Sequence, residues 1–366
     1  MKIVVFGLTL SSSWGNGHAT TYRSLLKALA RDGHKITFIE KDAEGYRSNR
    51  DLPDPEFCTL RLYDDWSLDY HSLVCSCLDA DAIVIGSYYP DAIRATMALL
   101  DLGCGPLLFY DIDTPVTLAQ LRTYGRTEYL DPALIPYYDA YLSFTGGPVL
   151  RELTERFGAT WAVPFYCSVD SSLHRPVPAR PRFQCDLSYI GTYAPDRQPS
   201  LNYLLGGTAS RLPSAQFIVA GSKYPIQVKW QSNVRRIVHI APGDHAAFYS
   251  SSRFTLNLTR SDMIAAGYSP SVRLFEASAC ATAILSDCWP GLEEFLTPGD
   301  EILNPSGPKE VADILCNLLE SDCVRLGRRA RERVLAEHSS SHRAAQFAEV
   351  VAGCSRRNNA AVRLRA

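Results

Sequence analysis

The sequence predicts an α/β fold built from two doubly wound domains. Its 366 residues are too many for one ordinary core and suit two domains of about 150–200 residues. Short apolar runs alternate with segments of helical length in both halves of the chain, as they do in parallel sheets with crossover helices. This periodicity stops between residues 166 and 183, where three prolines interrupt a polar stretch. The interruption predicts a domain boundary.

The first half begins with a strand, a loop, a helix and a second strand. Apolar runs at residues 2–6 and 35–39 are the strands, and Gly33 fits the end of the helix between them. The helix is indicated by apolar residues three or four positions apart, namely Tyr22, Leu25, Leu26 and Leu29. Further apolar runs at 82–85 and 106–110 extend the same parallel sheet.

The second half repeats this alternation and then becomes helical. Its predicted strands are the apolar runs at 187–190, 216–220, 237–240, 254–258 and 283–285, and its last helices lie at 311–335 and 344–351. We therefore predict an N-terminal domain at 1–166, a linker at 167–185 and a C-terminal domain at 186–340. Residues 341–366 form a helix and tail that could pack back on the N-terminal domain.

The charge balance excludes a strong general attraction to nucleic acid or to anionic membranes. Lys and Arg number 37 against 39 Asp and Glu, a formal net charge of −2. The sequence has no apolar stretch of the roughly 18 residues that span a bilayer and no cleavable leader pattern. We expect a cytoplasmic protein with no nucleic-acid partner and no integral membrane segment.

The most informative segment is SPSVRLFE at residues 269–276. Ser269 can cap a helix and Pro270 can occupy its first position. The free N–H groups of the first helical turn, which includes Ser271 and Val272, would then face a phosphate. Arg273 and Glu276 share a helix face, which suits a diphosphate and ribose hydroxyls respectively. The alternative is a surface helix with an internal Arg–Glu pair.

Other residues of the second half complete a candidate donor site. Gly191 directly follows a predicted strand and Arg197 comes six positions later, as in a loop that approaches phosphates. Arg260 follows another predicted strand. The nucleotide base would lie near His239, where a strand end meets a Pro-Gly turn.

The segment at 269–280 resembles the donor domain of the CgeB-like, or spore maturation protein-like, group 1 glycosyltransferases. The resemblance extends to LSYIGTY at 187–193, NLTR at 257–260, LSD at 285–287, WPGL at 289–292, EIL at 301–303 and SFTGGP at 143–148. It implies the GT-B fold, in which two Rossmann-like doubly wound domains face a cleft. It also implies a bacterial-type transferase that uses a nucleotide-sugar co-substrate and needs neither a cofactor nor a metal.

One position departs from the family pattern. Relatives with a retaining mechanism have two Glu residues eight positions apart, the second on the ribose and the first on the transferred sugar. Glu276 matches the second, but Tyr268 occupies the position of the first. The retaining mechanism therefore cannot be carried over, and the stereochemistry stays open.

Two candidates for the catalytic base lie in the first half. GNGH at 15–18 resembles the Gly-rich loop and His of many GT-B enzymes, in which His18 would deprotonate the acceptor. Asp113 ends a predicted strand at the edge where open α/β sheets bind ligands. The alternatives are that His18 caps the helix and that Asp113 orders its loop. Asp111 and Asp113 could also be read as a metal-binding DxD motif of a GT-A enzyme, which the two-domain organisation disfavours.

The acceptor side is assigned to Trp14 and Tyr88, because aromatic rings stack on sugars, and to Asn16 and Gly17 of the GNGH segment, which the resemblance implies. The acceptor itself is open: a glycan, a protein or a small molecule. Two other functions compete with glycosyl transfer. One is a catalytically weak GT-B binding or scaffold protein, made plausible by Tyr268. The other is an NAD-dependent oxidoreductase, suggested by a Gly-containing loop and by Glu40 after the second strand, although the loop from Gly7 to Gly17 is too long for that fingerprint.

Overall fold

The structure is a computed structural model that describes residues 1–15 and 17–365, with side chains as far as residue 357. The chain forms two compact units. Unit 1 comprises Met1–Ser168 and Ser340–Ala366, and unit 2 comprises Val169–Ser339. No helix of the described residues is long and apolar enough to cross a bilayer.

Unit 1 is a seven-stranded parallel sheet in the order β3-β2-β1-β4-β5-β6-β7, with helices packed against it. Its strands are β1 (Lys2–Phe6), β2 (Lys35–Lys41), β3 (Thr59–Tyr63), β4 (Ala82–Gly86), β5 (Leu107–Asp111), β6 (Ala140–Ser143) and β7 (Ala162–Pro164). Its helices are α1 (His18–Arg31), α2 (Glu44–Arg47), α3 (Trp66–Cys75), α4 (Ala92–Leu102), α5 (Thr114–Tyr124), α6 (Pro148–Glu155) and α14 (Ser340–Arg365).

Unit 2 is a five-stranded parallel sheet in the order β10-β9-β8-β11-β12. Its strands are β8 (Cys185–Ile190), β9 (Phe217–Ala220), β10 (Val234–Ile237), β11 (Ser252–Asn257) and β12 (Ala283–Ser286). Its helices are α7 (Gln198–Leu201), α8 (Gly207–Arg211), α9 (His245–Ser250), α10 (Ser261–Ala266), α11 (Val272–Ala279), α12 (Pro308–Asn317) and α13 (Glu320–Glu337), and a π-helical turn at Asn202–Gly206 joins α7 to α8.

The sequence pattern explains why each sheet is buried. All residues of β4, β5, β6, β9 and β12 are buried, as expected when helices cover both faces of a parallel sheet. The apolar stripe of α1 is buried at Tyr22, Leu25, Leu26 and Leu29, as its spacing predicts.

Both strand orders reverse direction once, between β1 and β4 in unit 1 and between β8 and β11 in unit 2. Ligands of doubly wound sheets bind at such a switch point, outside the carboxyl ends of the strands. The prediction of two doubly wound α/β domains is confirmed.

Several boundaries differ from the sequence prediction. Of the stretch predicted as a linker, residues 167–185, all but the first two belong to unit 2. His174 is buried there and β8 already begins at Cys185. Side chains of this segment pack into unit 2, although its described residues are helical only in a 3-10 turn at Pro181–Phe183. The strand predicted at 237–240 instead runs over Val234–Ile237 and pairs in parallel with β9. It is the edge strand of the sheet, where the charged Arg235 and Arg236 can be accommodated although the segment is not an apolar run.

Candidate functional site

The loop after β8 places a guanidinium at the carboxyl edge of the sheet in unit 2. Gly191 follows β8, and Arg197 is the residue that precedes α7. Arg197 Nη2 donates to the carbonyl of Thr192 at 2.7 Å. Its Nε is enclosed and makes no hydrogen bond to the described residues. The loop therefore fixes the position of Arg197 and leaves part of its donor capacity unused.

A second guanidinium comes from the second residue of α11. Arg273 Nη1 lies 3.3 Å from Oδ1 of Asn257 and 3.2 Å from the carbonyl of Leu258. The Arg273 guanidinium also lies over the ring of Tyr189, 5.3 Å from its centroid. Arg273 is thus anchored to β11 and β8, and the predicted alternative of an Arg–Glu pair within the helix does not describe its contacts.

The two arginines oppose each other electrostatically. Burial, followed by the charge of Arg273, holds the pKa of Arg197 below its ordinary value, and Arg260 adds to this effect. Arg260 has a partner, Asp196, at 3.6 Å. No carboxylate of the described residues lies within salt-bridge distance of Arg197 or Arg273. Asp196 and Asp287 interact with Arg197 and Arg273 respectively only from beyond salt-bridge distance. Two like charges with no carboxylate in direct contact form a site suited to an anion.

Arg273 lies at the amino end of α11, but the helix begins later than predicted. Its first residue is Val272, and Ser271 is the N-cap with an extended backbone. The Ser271 hydroxyl donates to Asn257 Oδ1 at 2.7 Å and does not cap the helix. Ser269 and Pro270 are buried before the helix, so the prediction that they cap and open it is wrong. No side chain caps the first turn of α11, so its backbone N–H groups can bind an anion.

Asn257 joins these parts, although the sequence prediction did not include it. Its Oδ1 accepts from Ser271 and Arg273, and its Nδ2 donates to Ser286 at 2.9 Å. The amide therefore ties the end of β11 to α11 and β12. Its position at the end of an apolar strand was the available signal, because such ends meet at the ligand-binding edge.

Glu276 lies one turn further along α11, in a buried cluster that sequence reasoning missed. Tyr249 donates to its Oε2 at 3.2 Å, while His245 Nδ1 lies 3.7 Å from Oε2 and His174 Nε2 lies 3.5 Å from Oε1. Burial by itself would raise the pKa of Glu276, but the two histidines and Tyr249 lower it to about 2. Glu276 is therefore ionised. His174 and Tyr249 come from segments far apart in the chain, so no local motif marks the cluster.

Tyr268, which departs from the pattern expected from the sequence, has a constrained backbone. Its φ is 48°, in the left-handed region that an aromatic residue rarely adopts. Its N–H donates to the carbonyl of Pro290 at 2.6 Å. Its ring covers Gly291, where a Cβ would lie only 2.4 Å from the ring. His239, the candidate near the base, is exposed just after β10.

In unit 1 the two candidate bases lie next to each other. His18 is the first residue of α1, and Asp113 precedes α5. His18 Nε2 is 3.6 Å from Asp113 Oδ2, and its Nδ1 is enclosed without a hydrogen-bond partner among the described residues. What the sequence offered as two alternatives is a single His–Asp pair, in which a carboxylate can orient an imidazole.

Asp111 and Asp113 have different surroundings. Asp111 is fully buried and accepts hydrogen bonds from Tyr141 at 2.6 Å and Thr117 at 2.8 Å. Burial raises its pKa to about 6 despite these bonds. The Asp113 side chain is 38% exposed and faces His18. The DxD reading is therefore not supported by the placement of the two carboxylates.

Tyr88 lies between His18 and an open cavity of unit 1. Its φ is 63°, and its ring meets the ring of His18 edge-on at 5.3 Å and that of Tyr129 at 4.6 Å. The cavity measures about 740 Å³. Its lining includes Tyr88, Tyr124, Arg126, Glu128, Tyr129 and Asp131. Aromatic rings beside polar groups suit a sugar-like ligand.

The remaining acceptor-side residues lie in the loop before α1. Trp14 is 40% exposed, and Gly17 is the N-cap of α1. Asn16 lies outside the described residues. Glu40 is buried and accepts bonds from Thr9, Ser11 and the N–H of Leu10. Glu40 lies near the end of β2 and fixes this long loop, so its burial is explained without a dinucleotide.

Residues 197–349 match the family described as glycosyl transferase-like. No curated protein matches the chain significantly in sequence.

Solved structures of similar fold cover nearly the whole chain. Sucrose-phosphate synthase from Thermosynechococcus elongatus is 15% identical with a TM-score of 0.66, over 99% of this chain and 100% of that one. Anabaena Alr3699/HepE, in complex with UDP and glucose, is 13% identical with a TM-score of 0.70, over 96% and 100%. An α-glucosyltransferase, in complex with UDP-glucose and DNA containing an abasic site, is 14% identical with a TM-score of 0.68, over 96% and 99%.

These comparisons bear on fold and enzyme class. The GT-B fold is confirmed by the similarity of the whole chain to these structures. The prediction of a glycosyltransferase is confirmed by the family match of residues 197–349 on that fold. The CgeB-like subgroup remains a prediction.

Proposed function

We propose that this glycosyltransferase transfers a sugar from a nucleoside diphosphate sugar to a hydroxyl acceptor without a catalytic metal. The observation that carries the proposal is the pair of arginines, Arg197 and Arg273, at the carboxyl edge of the unit 2 sheet. A diphosphate leaving group develops negative charge as the glycosidic bond breaks. Two fixed guanidiniums and the uncapped first turn of α11 supply the positive charge that a metal ion provides elsewhere.

The other donor contacts follow from the same edge of the sheet. We assign the diphosphate also to Gly191, Arg260, Ser271 and Val272, the ribose to Glu276, and the base to the backbone near His239. Ser269 supports the segment from its buried position. Uridine is the first base to test, because HepE and the α-glucosyltransferase were solved with UDP or UDP-glucose.

We assign activation of the acceptor to unit 1. His18 is the base and Asp113 orients it, since the two side chains approach to 3.6 Å. Tyr88 and Trp14 offer rings to the acceptor. The polar and aromatic lining of the cavity beside Tyr88 favours a glycan as the acceptor.

The arginine pair gives a test in which binding and stability move in different directions. Arg197→Met keeps an unbranched apolar side chain in place of the alkyl part of arginine and removes a charge that Arg273 repels. We expect UDP-glucose affinity to fall about 10- to 100-fold, the effect of losing one charge-assisted interaction. The melting temperature of the free protein should stay the same or rise. Calorimetric titration and thermal unfolding measure the two effects.

The matched control is Arg328→Met, which removes an exposed arginine of α13 that faces Glu332. It should change neither property. Unchanged UDP-glucose affinity in Arg197→Met would contradict the proposed donor site.

A catalytically weak glycosyltransferase that acts mainly as a binding or scaffold protein is the second candidate, favoured by Tyr268 at the position where the resemblance implies a carboxylate. Release of UDP from UDP-glucose distinguishes the two functions. Slow release supports an enzyme, whereas tight binding without release, with acceptor saccharides also present, supports a scaffold.

A further inference from the structure

The residues around Glu276, namely His174, His245 and Tyr249, indicate how the donor site is held in place, on the premise of the proposed function. Three separate segments converge on one carboxylate. His174 lies in the segment before β8, His245 opens α9 and Glu276 lies on α11. All three side chains are largely buried, with 7%, 17% and 6% of their surfaces exposed. A buried carboxylate needs compensating donors, and the two histidines and Tyr249 are the groups that surround it.

The contacts of His245 determine its protonation. Its Nε2 lies 3.2 Å from the carbonyl of Ile240. A carbonyl only accepts, so Nε2 carries a proton. Its Nδ1 faces Glu276 Oε2 at 3.7 Å. An unprotonated Nδ1 would direct its lone pair at the negatively charged carboxylate, which is unfavourable. A protonated Nδ1 attracts the carboxylate. The geometry therefore favours the doubly protonated imidazolium.

The charged surroundings of His245 agree with this assignment. Burial lowers the pKa of His245, but its hydrogen bond and its charge interaction with Glu276 outweigh burial and raise the pKa above its ordinary value. The other charged or titratable groups around it are His174, Tyr249 and Asp244. Asp244 is itself paired with Arg180 and Arg182. Glu276 is thus the main partner of His245.

His174 plays a different part in the same cluster. Burial lowers its pKa, so the ring is neutral at physiological pH. Neither ring nitrogen makes a hydrogen bond of ordinary geometry within the described residues. Its Nε2 nevertheless faces Glu276 Oε1. His174 therefore limits the rotation of the carboxylate, and His245 supplies the charge that keeps it ionised.

We infer that His245 and His174 are positioning residues that hold the Glu276 carboxylate ionised and oriented for the ribose hydroxyls, so that donor affinity falls when His245 loses its proton. An ionised, fixed carboxylate accepts hydroxyl hydrogen bonds without a further ordering cost. Without the Nδ1 proton, Oε2 of Glu276 faces a lone pair, and the carboxylate loses one of the contacts that fix its orientation.

The test is the pH profile of UDP-glucose affinity between pH 6 and 9, measured by calorimetry on the full chain. UDP-glucose is chosen over UDP because its diphosphate has no proton to lose in this range. Wild-type affinity should fall about tenfold as pH rises, the size expected for one charge-assisted hydrogen bond. His245→Gln should bind more weakly at pH 6 and show a flat profile.

Two further variants separate positioning from a general structural effect. Tyr249→Phe removes a donor to Glu276 that does not titrate in this range, so it should weaken binding and keep the wild-type pH dependence. His174→Gln should likewise weaken binding and keep that dependence. His71→Gln, at an exposed histidine of unit 1, should follow the wild type throughout.

Each failure has its own signature. No binding of UDP-glucose at any pH would contradict the proposed function and, with it, this inference. Binding with the same pH profile in wild type and His245→Gln would overturn the inference alone. The three side chains also have the spacing of possible metal ligands. Affinity that is lost with a chelator and restored by Zn²⁺ would overturn the imidazolium assignment in favour of a metal ion.

Discussion

Individual charged residues of unit 2 lie where an isolated charge would destabilise the folded protein. Glu276 is compensated by two histidines and a tyrosine, whereas Arg197 is opposed by a second arginine. The first arrangement stabilises the fold, and the second is useful only when an anion binds. Residues of the second kind are the stronger indication of a ligand site.

The pair of His245 and Glu276 predicts a pH-dependent contribution to stability. The folded-state pKa of His245 lies above 6.5, so its contribution is complete below pH 6.5 and is lost as pH rises through that pKa. The pKa of Glu276 falls from 4.5 to about 2, so its contribution is complete above pH 4.5 and is lost as pH falls toward 2. The difference in unfolding free energy between wild type and His245→Gln should be largest from pH 4.5 to 6.5.

Urea unfolding at several pH values measures this difference directly. The use of a difference removes the titration of other groups, including Asp111, whose pKa is raised to about 6. A difference that is constant from pH 5 to 9 would show that His245 does not carry the charge.

The His18–Asp113 pair predicts a separation of turnover from binding. His18→Gln removes the base, and Asp113→Asn removes the charge that orients it. Both variants should lower the rate of UDP release from UDP-glucose about 10²- to 10⁴-fold, as expected for general-base catalysis. Their UDP-glucose affinity should stay at the wild-type level, because the donor contacts are assigned to unit 2.

The control for this pair is Asp101→Asn, at an exposed residue of α4, which should keep full turnover. Equal rates of UDP release in wild type and His18→Gln would show that His18 is not the catalytic base.

At the scale of elements, α11 and the turn after it depend on one close contact. Ala281 has a φ of 56° in the turn between α11 and β12. A Cβ on Gly327 of α13 would lie only 2.0 Å from the carbonyl oxygen of Ala281. Backbone atoms cannot yield as a flexible side chain does. The glycine therefore lets α13 pack directly on the turn that leads to β12.

Gly327→Ala should therefore lower the free energy of unfolding by about 1–3 kcal/mol or more. Gly45→Ala, in α2, is a matched helical control because nothing lies within 4 Å of its added Cβ. It should leave stability unchanged or slightly raised, since Ala favours helices over Gly by about 1 kcal/mol. Denaturant unfolding of the two variants compares them, and equal stabilities would contradict the close contact.

At the scale of the whole molecule, the two units differ in continuity. Unit 2 is one uninterrupted segment with its own apolar core. Unit 1 is completed by α14, whose Ala344, Phe347, Val350, Val351 and Cys354 are buried. Gln346 Nε2 donates to the carbonyl of Pro164 at 2.8 Å, and the ring of Phe347 lies 6.3 Å from that of Phe165.

This difference predicts the behaviour of two shortened chains. Residues 169–339 alone should fold in one cooperative transition and be stabilised by UDP, by about 2.7 kcal/mol at 100 times the dissociation constant. Residues 1–339 should lose the calorimetric transition of unit 1, because its apolar face for α14 is exposed. Retention of that transition would show that α14 is dispensable.

The alternation of strands and helices, both doubly wound sheets and the segment around Arg273 could be predicted from the sequence, because apolar periodicity and strand ends are local properties. The sequence also pointed to His18 and Asp113 as candidates. It did not reveal that they form one pair, nor that Arg197 and Arg273 repel each other. The His18–Asp113 pair and the proximity of the two arginines depend on tertiary contacts. The same is true of the contacts that His174, His245 and Tyr249 make with Glu276. The physical reason is that burial and contact between distant segments set the charge and orientation of a side chain, and neither is encoded in local spacing.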